Sequence, residues 1–193
     1  MTKMMMSDDE IVERCVGDRG MIKPFVREHV SRSMGEGVIS FGLSSYGYDA
    51  RVDETFRMFQ DHSQEVIDPK AFNEDIVIEK KATNGYILIP PHSFVLGTTV
   101  EEFDIPRDIL GLCFGKSTYR RCGIVIDVTP LEPKWRGRLT LEISNTAPLP
   151  VKVYTGEGLI QLVFLKASHV CSQSYADRKG KYQDQKGIEG PKV

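Results

Sequence analysis

The stretch Gly137-Arg-Leu-Thr-Leu-Glu-Ile-Ser-Asn145 alternates apolar and polar side chains along most of its length. Successive side chains of a β-strand point to opposite faces, so Leu139, Leu141 and Ile143 would share one face. Glu142 and its hydroxyl-bearing neighbours would share the other face. The stretch therefore predicts a half-buried strand that presents one carboxylate outside the core.

Similar short apolar or alternating runs fill most of the chain from about Ile39 onward, separated by proline, glycine and asparagine. Many short strands at this spacing are typical of a β-barrel or a β-sandwich. The sequence therefore predicts a mainly β protein. The predicted strands are residues 46–52, 75–79, 86–89, 94–100, 109–114, 124–128, 138–144, 151–154 and 159–165.

Two segments have the pattern of short helices. Ser7-Asp-Asp-Glu10 has the form of a capping box, and Gly17 ends the helical pattern that follows it. Gly115-Lys-Ser-Thr-Tyr-Arg-Arg-Cys-Gly123 suits one or two helical turns inserted between strands. A few short helices are therefore expected around the strands.

Composition restricts the class of protein. The chain has 193 residues, of which 40% are hydrophobic, as expected for one globular domain. With 25 Lys+Arg against 27 Asp+Glu, it has no positive excess to favour a nucleic-acid backbone. We find no apolar run of about 18 residues and no signal-peptide pattern. A cytoplasmic protein without membrane or nucleic-acid partners is expected.

The cysteines and histidines do not form a zinc motif. Cys15, Cys113, Cys122 and Cys171 contain no C-x-x-C pair, which favours free, buried or half-buried thiols in a reducing compartment. The H-x-E signature of zinc deaminases is also absent. The residues two positions after His29, His62, His92 and His169 are Ser31, Gln64, Phe94 and Cys171.

The predicted helical insert carries a basic, hydroxyl-rich beginning. Lys116, Ser117 and Thr118 open it, where free backbone N–H groups favour an anion such as phosphate. Ser117 and Arg121 are four residues apart and would share one helical face. They could present a hydroxyl and a guanidinium to one ligand, and the plain alternative is a capped surface helix with exposed basic residues.

Two further features suit a nucleotide site. Gln161 interrupts an apolar run, so its amide either ties down a neighbouring backbone or reads a nucleotide. The polar segment 174–193 would by itself be a mobile tail. Its Tyr175, Lys181 and Gln185 supply an aromatic face, a cation and an amide, which are suited to a lid over a base and its phosphates.

Eight fragments of the chain form a pattern when their order and spacing are taken together. The fragments are Met21-Ile-Lys-Pro-Phe25, Ser44-Ser-Tyr-Gly-Tyr-Asp-Ala-Arg51, Asp68-Pro69, Pro90-Pro-His-Ser-Phe94, Gly115-Lys-Ser-Thr-Tyr119, Val128-Thr-Pro-Leu-Glu-Pro133 with Trp135, Thr140-Leu-Glu-Ile-Ser-Asn145 and Gly180-Lys-Tyr-Gln-Asp-Gln185. In this order and spacing they resemble the dCTP deaminase family of the trimeric dUTPase-like superfamily. The resemblance implies a distorted β-barrel of the β-clip type, with one domain over 1–173 and an extended C-terminal tail over 174–193.

The resemblance also implies roles for individual residues. Glu142 matches the acid/base that deaminates dCTP to dUTP, Ser117 the hydroxyl that holds the attacking water, and Arg121 the guanidinium beside the carboxylate. The implied substrate contacts are Lys116, Ser117, Thr118, Tyr119, Arg120, Arg121, Thr140, Leu141, Gln161, Tyr175, Lys181 and Gln185.

The assembly and ligands follow from the same resemblance. It implies a homotrimer with active sites between subunits, inhibition by dTTP, and magnesium that is bound mainly through the substrate triphosphate, with no zinc and no protein metal site. Arg120 and Asp127 depart from the commonest family pattern of a small residue and Asn.

Two alternative functions use the same fold. A bifunctional enzyme would carry dCTP through dUTP to dUMP, but the region 131–135 lacks the Asp-centred G-x-I-D loop of a dUTPase. A non-catalytic dNTP-binding regulator would be expected to have lost Glu142, Ser117 and Arg121, and all three are present.

Overall fold

The computed structural model describes residues 4–17, 20–60 and 66–193. Helix α1 spans Asp8–Cys15, and Ser7 is its N-cap residue. The backbone N–H of Ser7 donates to the Glu10 carboxylate at 3.0 Å, which confirms the predicted capping box. Gly17 follows the helix with a φ of 92°. Among the described residues, no helix has the length and hydropathy needed to cross a membrane.

The predicted insert is also helical, because α2 spans Ser117–Arg120. A single 3-10 turn covers Glu74–Ile76. In the described part of the chain the strands are β1 (Ile22–Lys23), β2 (Val30–Ser33), β3 (Glu36–Ser44), β4 (Gly47–Arg51), β5 (Thr55–Phe59), β6 (Val77–Lys81), β7 (Tyr86–Ile89), β8 (Ser93–Asp104), β9 (Ile109–Gly115), β10 (Ile124–Asp127), β11 (Arg136–Asn145), β12 (Val151–Tyr154) and β13 (Gly158–Lys166).

Each of the nine predicted strands overlaps an observed one, and β7 and β12 have the predicted bounds. The sequence patterns do not predict β1, β2, β3 and β5. Strand β3 contains two glycines, and a Cβ on Gly42 would lie 2.1 Å from the Glu28 carbonyl oxygen. Gly42 is therefore required for close packing against another segment. In the sequence alone a glycine favours a loop, which explains why β3 was not predicted.

Antiparallel pairing joins the strands into two larger sheets and a β7-β12 ribbon. One sheet has the order β10-β11-β8-β5-β6, with β1 added beside β8. The other has the order β2-β3-β4-β13-β9. Hydrogen bonding does not close these sheets into one continuous barrel, so the fold is a distorted, open form of the predicted architecture.

The inner faces of the strands enclose one cluster of buried apolar side chains. Leu139, Leu141 and Ile143 are 5%, 0% and 0% exposed, which confirms the alternation predicted for β11. Glu142 lies on the opposite, exposed face. The predicted boundary after residue 173 stays a prediction.

Asn145, the last residue of β11, holds two loops beside the sheet and is 1% exposed. Its Nδ2 donates to the carbonyl oxygens of Ile89, Pro90 and Leu149 at 2.9–3.0 Å. Its Oδ1 accepts a hydrogen bond from the Ala147 N–H at 2.9 Å. Losing this amide would break one buried and three part-buried hydrogen bonds at once.

We therefore expect Asn145→Ala to lower the free energy of unfolding by about 2–4 kcal/mol, measured by urea denaturation. The matched control is Thr146→Ala, which removes one exposed hydrogen bond to the Gly123 carbonyl. The control should cost about 0.5 kcal/mol or less. Equal losses in the two variants would contradict the role given to Asn145.

Candidate active site

A cavity of about 720 Å³ lies beside the exposed face of β11, within the range of ligand sites. Glu142 and Thr140 line it from the strand, and Thr129 from the loop that precedes the strand. Tyr175 and Gln185 close it from the C-terminal segment. The cavity therefore has a carboxylate on a rigid strand and a wall made by the tail.

Glu142 lies directly across the ladder from Asp127 on one side and from Leu96 on the other. Partial burial raises the pKa of the Glu142 carboxyl, and the nearby negative charge of Asp127 raises it further. Both effects disfavour the ionised form. Glu142 therefore holds its proton to a higher pH than an ordinary glutamate, as suits an acid/base that works near neutral pH.

The tail is attached to β11 by backbone hydrogen bonds. The N–H of Arg138 donates to the Gln185 carbonyl at 2.8 Å, and the N–H of Asp184 donates to the Arg136 carbonyl at 2.8 Å. Gly137 and Gln185 form a parallel bridge between these bonds. The segment that composition alone would leave mobile is therefore paired to the strand that carries Glu142.

Side chains reinforce this attachment. Gln185 is 4% exposed, and its Nε2 donates to the Arg138 carbonyl at 3.0 Å and to Thr140 Oγ1 at 2.5 Å. Trp135 Nε1 donates to the Tyr182 carbonyl at 3.1 Å. These bonds bring Gln185 and Thr140, two predicted substrate contacts, into direct contact.

Aromatic side chains that the sequence patterns do not predict as site residues form another wall of the cavity. Phe59 packs against Phe72 and Phe94, with ring centroids 6.2 Å and 5.7 Å apart. Phe59 ends β5, one of the strands that was not predicted. The sequence signal that could have identified Phe59 is the alternation of β5. Phe56 and Met58 of this strand are buried, and Phe59 lies on the opposite face.

The basic insert has most of its polar side chains outside this cavity. Ser117, Thr118, Arg120 and Arg121 are exposed, and none of them lines the cavity beside Glu142. Thr118 instead lines a second hollow, of about 830 Å³. One chain therefore does not bring Ser117 and Arg121 together with Glu142.

Two other predicted substrate contacts have side chains that bind residues of their own chain. The Lys116 ammonium donates to the carbonyl and Oγ of Ser40, at 2.8 and 2.9 Å, and forms a buried ion pair with Asp49. Tyr119 is 3% exposed, and its hydroxyl accepts a hydrogen bond from the Tyr154 N–H at 2.9 Å. Lys116 therefore anchors the start of α2 to β3 and β4, and Tyr119 anchors α2 to β12 of the ribbon.

The remaining predicted residues are divided between surface and core. Gln161 is exposed on β13 opposite Asp49, so its role as a nucleotide contact stays a prediction. The Leu141 side chain is fully buried, so only the backbone of this residue could contact a ligand. Lys181 is exposed. Together with Tyr175 and Gln185 it lines the Glu142 cavity.

Within the described ranges, no three His, Cys, Asp or Glu side chains are arranged to hold a metal ion. All four cysteines are free, and Cys122 is exposed rather than buried or half-buried as expected. Burial raises the pKa of the Cys15 and Cys113 thiols to about 12, so they stay protonated at neutral pH.

A family model described as dCTP deaminase-like matches residues 5–167, which include the strand and loop around Glu142. The chain belongs to the dCTP deaminase family. A dCTP deaminase of Thiobacillus denitrificans is 47% identical over 190 residues, covering 98% of this chain and 100% of the relative. Another dCTP deaminase, of Helicobacter hepaticus, is 52% identical over 176 residues, covering 91% and 92%.

The fold agrees with this membership in the dCTP deaminase family. The crystal structure of 2'-deoxycytidine 5'-triphosphate deaminase from Agrobacterium tumefaciens matches with a TM-score of 0.60 over 86% of this chain, at 16% identity. The match covers 49% of that longer chain, so this protein spans about half its length. At this identity the likeness shows a shared fold.

Gly137 makes the tail attachment testable in this member of the dCTP deaminase family. Its φ is 145°, and a Cβ there would lie 2.7 Å from the Gln185 carbonyl oxygen and 2.9 Å from the Gln185 nitrogen. We expect Gly137→Ala to detach the tail and to raise the rate of tryptic cleavage after Lys181 and Lys186 about tenfold or more.

The control for this measurement is Gly187→Ala, because a Cβ at Gly187 meets no atom within 4 Å. Cleavage of the control should match that of the unmodified protein, as mass spectrometry of the released peptides would show. Unchanged cleavage of Gly137→Ala would mean that the tail is not held through this contact.

Proposed function

We propose that this protein deaminates dCTP to dUTP and ammonia with Glu142 as its acid/base and without zinc. The observation that carries the proposal is the position of Glu142, which opens on a ligand-sized cavity that the tail closes. Membership in the dCTP deaminase family supports the reaction. Such an enzyme supplies deoxyuridine nucleotides for dTTP synthesis, and we place it in the cytoplasm.

The proposed chemistry begins with a water molecule held by Ser117 and a backbone carbonyl near Thr129. Glu142 takes one proton from this water, and the resulting hydroxide attacks C4 of the cytosine ring. This proton passes to ring nitrogen N3, and the proton of the new C4 hydroxyl then passes through Glu142 to the amino group, which leaves as ammonia as the C4 carbonyl forms. The raised pKa of Glu142 supports this role, because the same group must accept the proton and return it.

We propose that the enzyme is a homotrimer whose sites lie between subunits. Glu142 and the tail line one cavity, and the exposed Ser117 and Arg121 lie outside it. A neighbouring subunit can therefore supply the hydroxyl and the guanidinium that one chain does not bring to Glu142. In a cyclic trimer each interface would complete one such site.

Magnesium fits this site through the substrate and not through a protein cage. The described residues contain no cluster of three potential metal-ligating side chains, and Mg²⁺ is commonly bound through phosphate oxygens and waters. When bound, it would neutralise charge on the triphosphate. Because dTTP offers the same triphosphate and a pyrimidine ring, we expect it to compete for the cavity and inhibit.

The direct test incubates the protein with dCTP and magnesium and measures ammonia and pyrophosphate together. We expect ammonia without pyrophosphate, and Glu142→Gln should reduce ammonia release about 100-fold or more. The control is Glu13→Gln on the exposed side of α1, which should retain full activity. Oligomeric state and unfolding midpoint should be unchanged in both variants.

Each other outcome selects a different function. Pyrophosphate released with ammonia would show a bifunctional enzyme that proceeds to dUMP. Tight dCTP binding without ammonia would show a non-catalytic regulator. Full turnover by Glu142→Gln would remove Glu142 from the chemistry. Repeating the assay with CTP, dCMP and base-modified dCTP would define the substrate range.

The subunit arrangement gives a second prediction. Ser117→Ala and Glu142→Gln should each be inactive alone, because each lacks one part of the site. Trimers assembled from an equal mixture should regain about one quarter of the wild-type activity, since about one interface in four combines an intact Ser117 with an intact Glu142. No recovery in verified mixed trimers would mean that each chain builds its own site.

A further inference from the structure

A continuous row of side chains crosses the sheet at the level of Glu142. Asp127 of β10 is paired with Glu142, Glu142 is paired with Leu96 of β8, and Leu96 is paired with Arg57 of β5. Directly opposed residues of an antiparallel pair share one face of the sheet. Asp127 and Glu142 are both exposed, so two carboxylates stand side by side on this face, and Glu142 of the two lines the cavity.

The pairing geometry keeps these two carboxyl groups close. Cβ atoms of directly opposed residues in antiparallel strands are about 4.5–5.5 Å apart, and like charges in this position repel. Asp127 Oδ1 accepts a hydrogen bond from the N–H of its own neighbour Val128 at 3.1 Å, which keeps Asp127 beside the strand. Neither carboxylate forms an ion pair within residues 4–17, 20–60 and 66–193.

Other charges on the same row are farther away. Arg57 lies two strands from Glu142, which is about 10 Å at the usual strand spacing. Its guanidinium donates to the Glu74 carboxylate at 3.1 Å, so its charge is already paired. Glu79, opposite Arg57, lies a further strand away. At this separation salt screens exposed charges strongly, and the charge of Asp127 dominates.

The charged groups that line the cavity from the loop and the tail are mostly engaged. Glu132 is paired with Arg178, and Glu189 with Lys192. The Lys181 ammonium donates to the carbonyl oxygen of Lys192. Glu132 and Glu189 are thus neutralised by ion pairs, the Lys181 ammonium binds a carbonyl oxygen, and Asp127 is the charged group that raises the pKa of Glu142.

Helix α2 packs against β10, and two more cations lie at its C-terminal end. Its Arg120 and the following Arg121 are exposed and outside the cavity of their own chain. In the proposed trimer an Arg121 approaches Glu142 from the neighbouring subunit. A guanidinium beside a carboxylate favours the ionised form and would weaken Glu142 as a base.

We propose that Asp127 is a positioning residue of the reaction, whose negative charge keeps Glu142 basic enough to take the proton from water and hold it until ammonia leaves. This inference rests on the proposed function, because it assigns a partner to the same acid/base. Asp127 offsets the approaching Arg121 and does not itself touch the reacting atoms. It gives a role to one of the two positions that depart from the common family pattern.

The sign of the effect follows from the charge. Removing Asp127's charge removes one of the two causes that raise the pKa of Glu142, and burial remains as the larger cause. Glu142 would then lose its proton at a lower pH, so the activity that depends on ionised Glu142 would appear at a lower pH. A weaker base also takes the proton less readily at the plateau.

The test measures kcat and KM for ammonia release from dCTP between about pH 4.5 and 9. In Asp127→Asn we expect the acid limb of kcat/KM to move down by about one pH unit, the plateau kcat to fall several-fold and KM to change less than about twofold. Asp127→Ser should behave in the same way. Asp127→Glu, which restores the charge, and the remote control Glu13→Gln should keep the wild-type acid limb.

A titration without turnover separates this inference from the proposed function. Carbon-13 NMR of labelled glutamate carboxyls, with Glu142 assigned from Glu142→Gln, follows its protonation directly in the full-length protein. A lower midpoint in Asp127→Asn supports the inference even if no ammonia is released, a result that would overturn only the proposed function. An unchanged midpoint, or an equal shift in Asp127→Glu, would overturn the inference whatever the activity.

Discussion

The pairing of β11 is the constraint on which the rest of the structure depends. This strand is hydrogen-bonded to β8 on one side and to β10 on the other. A slip of one residue would put Leu141 outside and Glu142 into the apolar core, at a large cost in free energy. The buried residues of β11 thus hold the acidic side chain on the cavity face.

The same strand organises the C-terminal segment. Gly137 allows the backbone of Gln185 to approach closely, and Gln185 then hydrogen-bonds to Thr140, two residues from Glu142. The tail therefore needs no apolar core of its own, because it adds backbone and amide bonds to an existing strand. This explains how a polar, glycine-containing segment forms a wall of the cavity beside Glu142.

The charges at the site are divided between elements. The strand face holds Glu142 beside Asp127, while α2 carries Ser117 and Arg121 outside that cavity. Lys116 and Tyr119, which the family resemblance places among the ligand contacts, hold α2 against β3 and against β12 of the ribbon. A single chain thus has a basic surface on α2 and a carboxylate in the cavity, which would complement each other in the proposed trimer.

Local pattern determined several features. The alternation around Glu142, the capping box of α1 and nine strands could be read from neighbouring residues, because side-chain periodicity and turn chemistry act over a few positions. Tertiary structure decided which strands pair. The register between distant segments brings Phe59 to Phe94 and places Asp127 opposite Glu142. Strand β3 is stabilised by its pairing with neighbouring strands such as β4 more than by its own composition. The sequence predicted Glu142 as the acid/base, and only strand register supplied its neighbours, because contacts between distant segments leave no local periodicity.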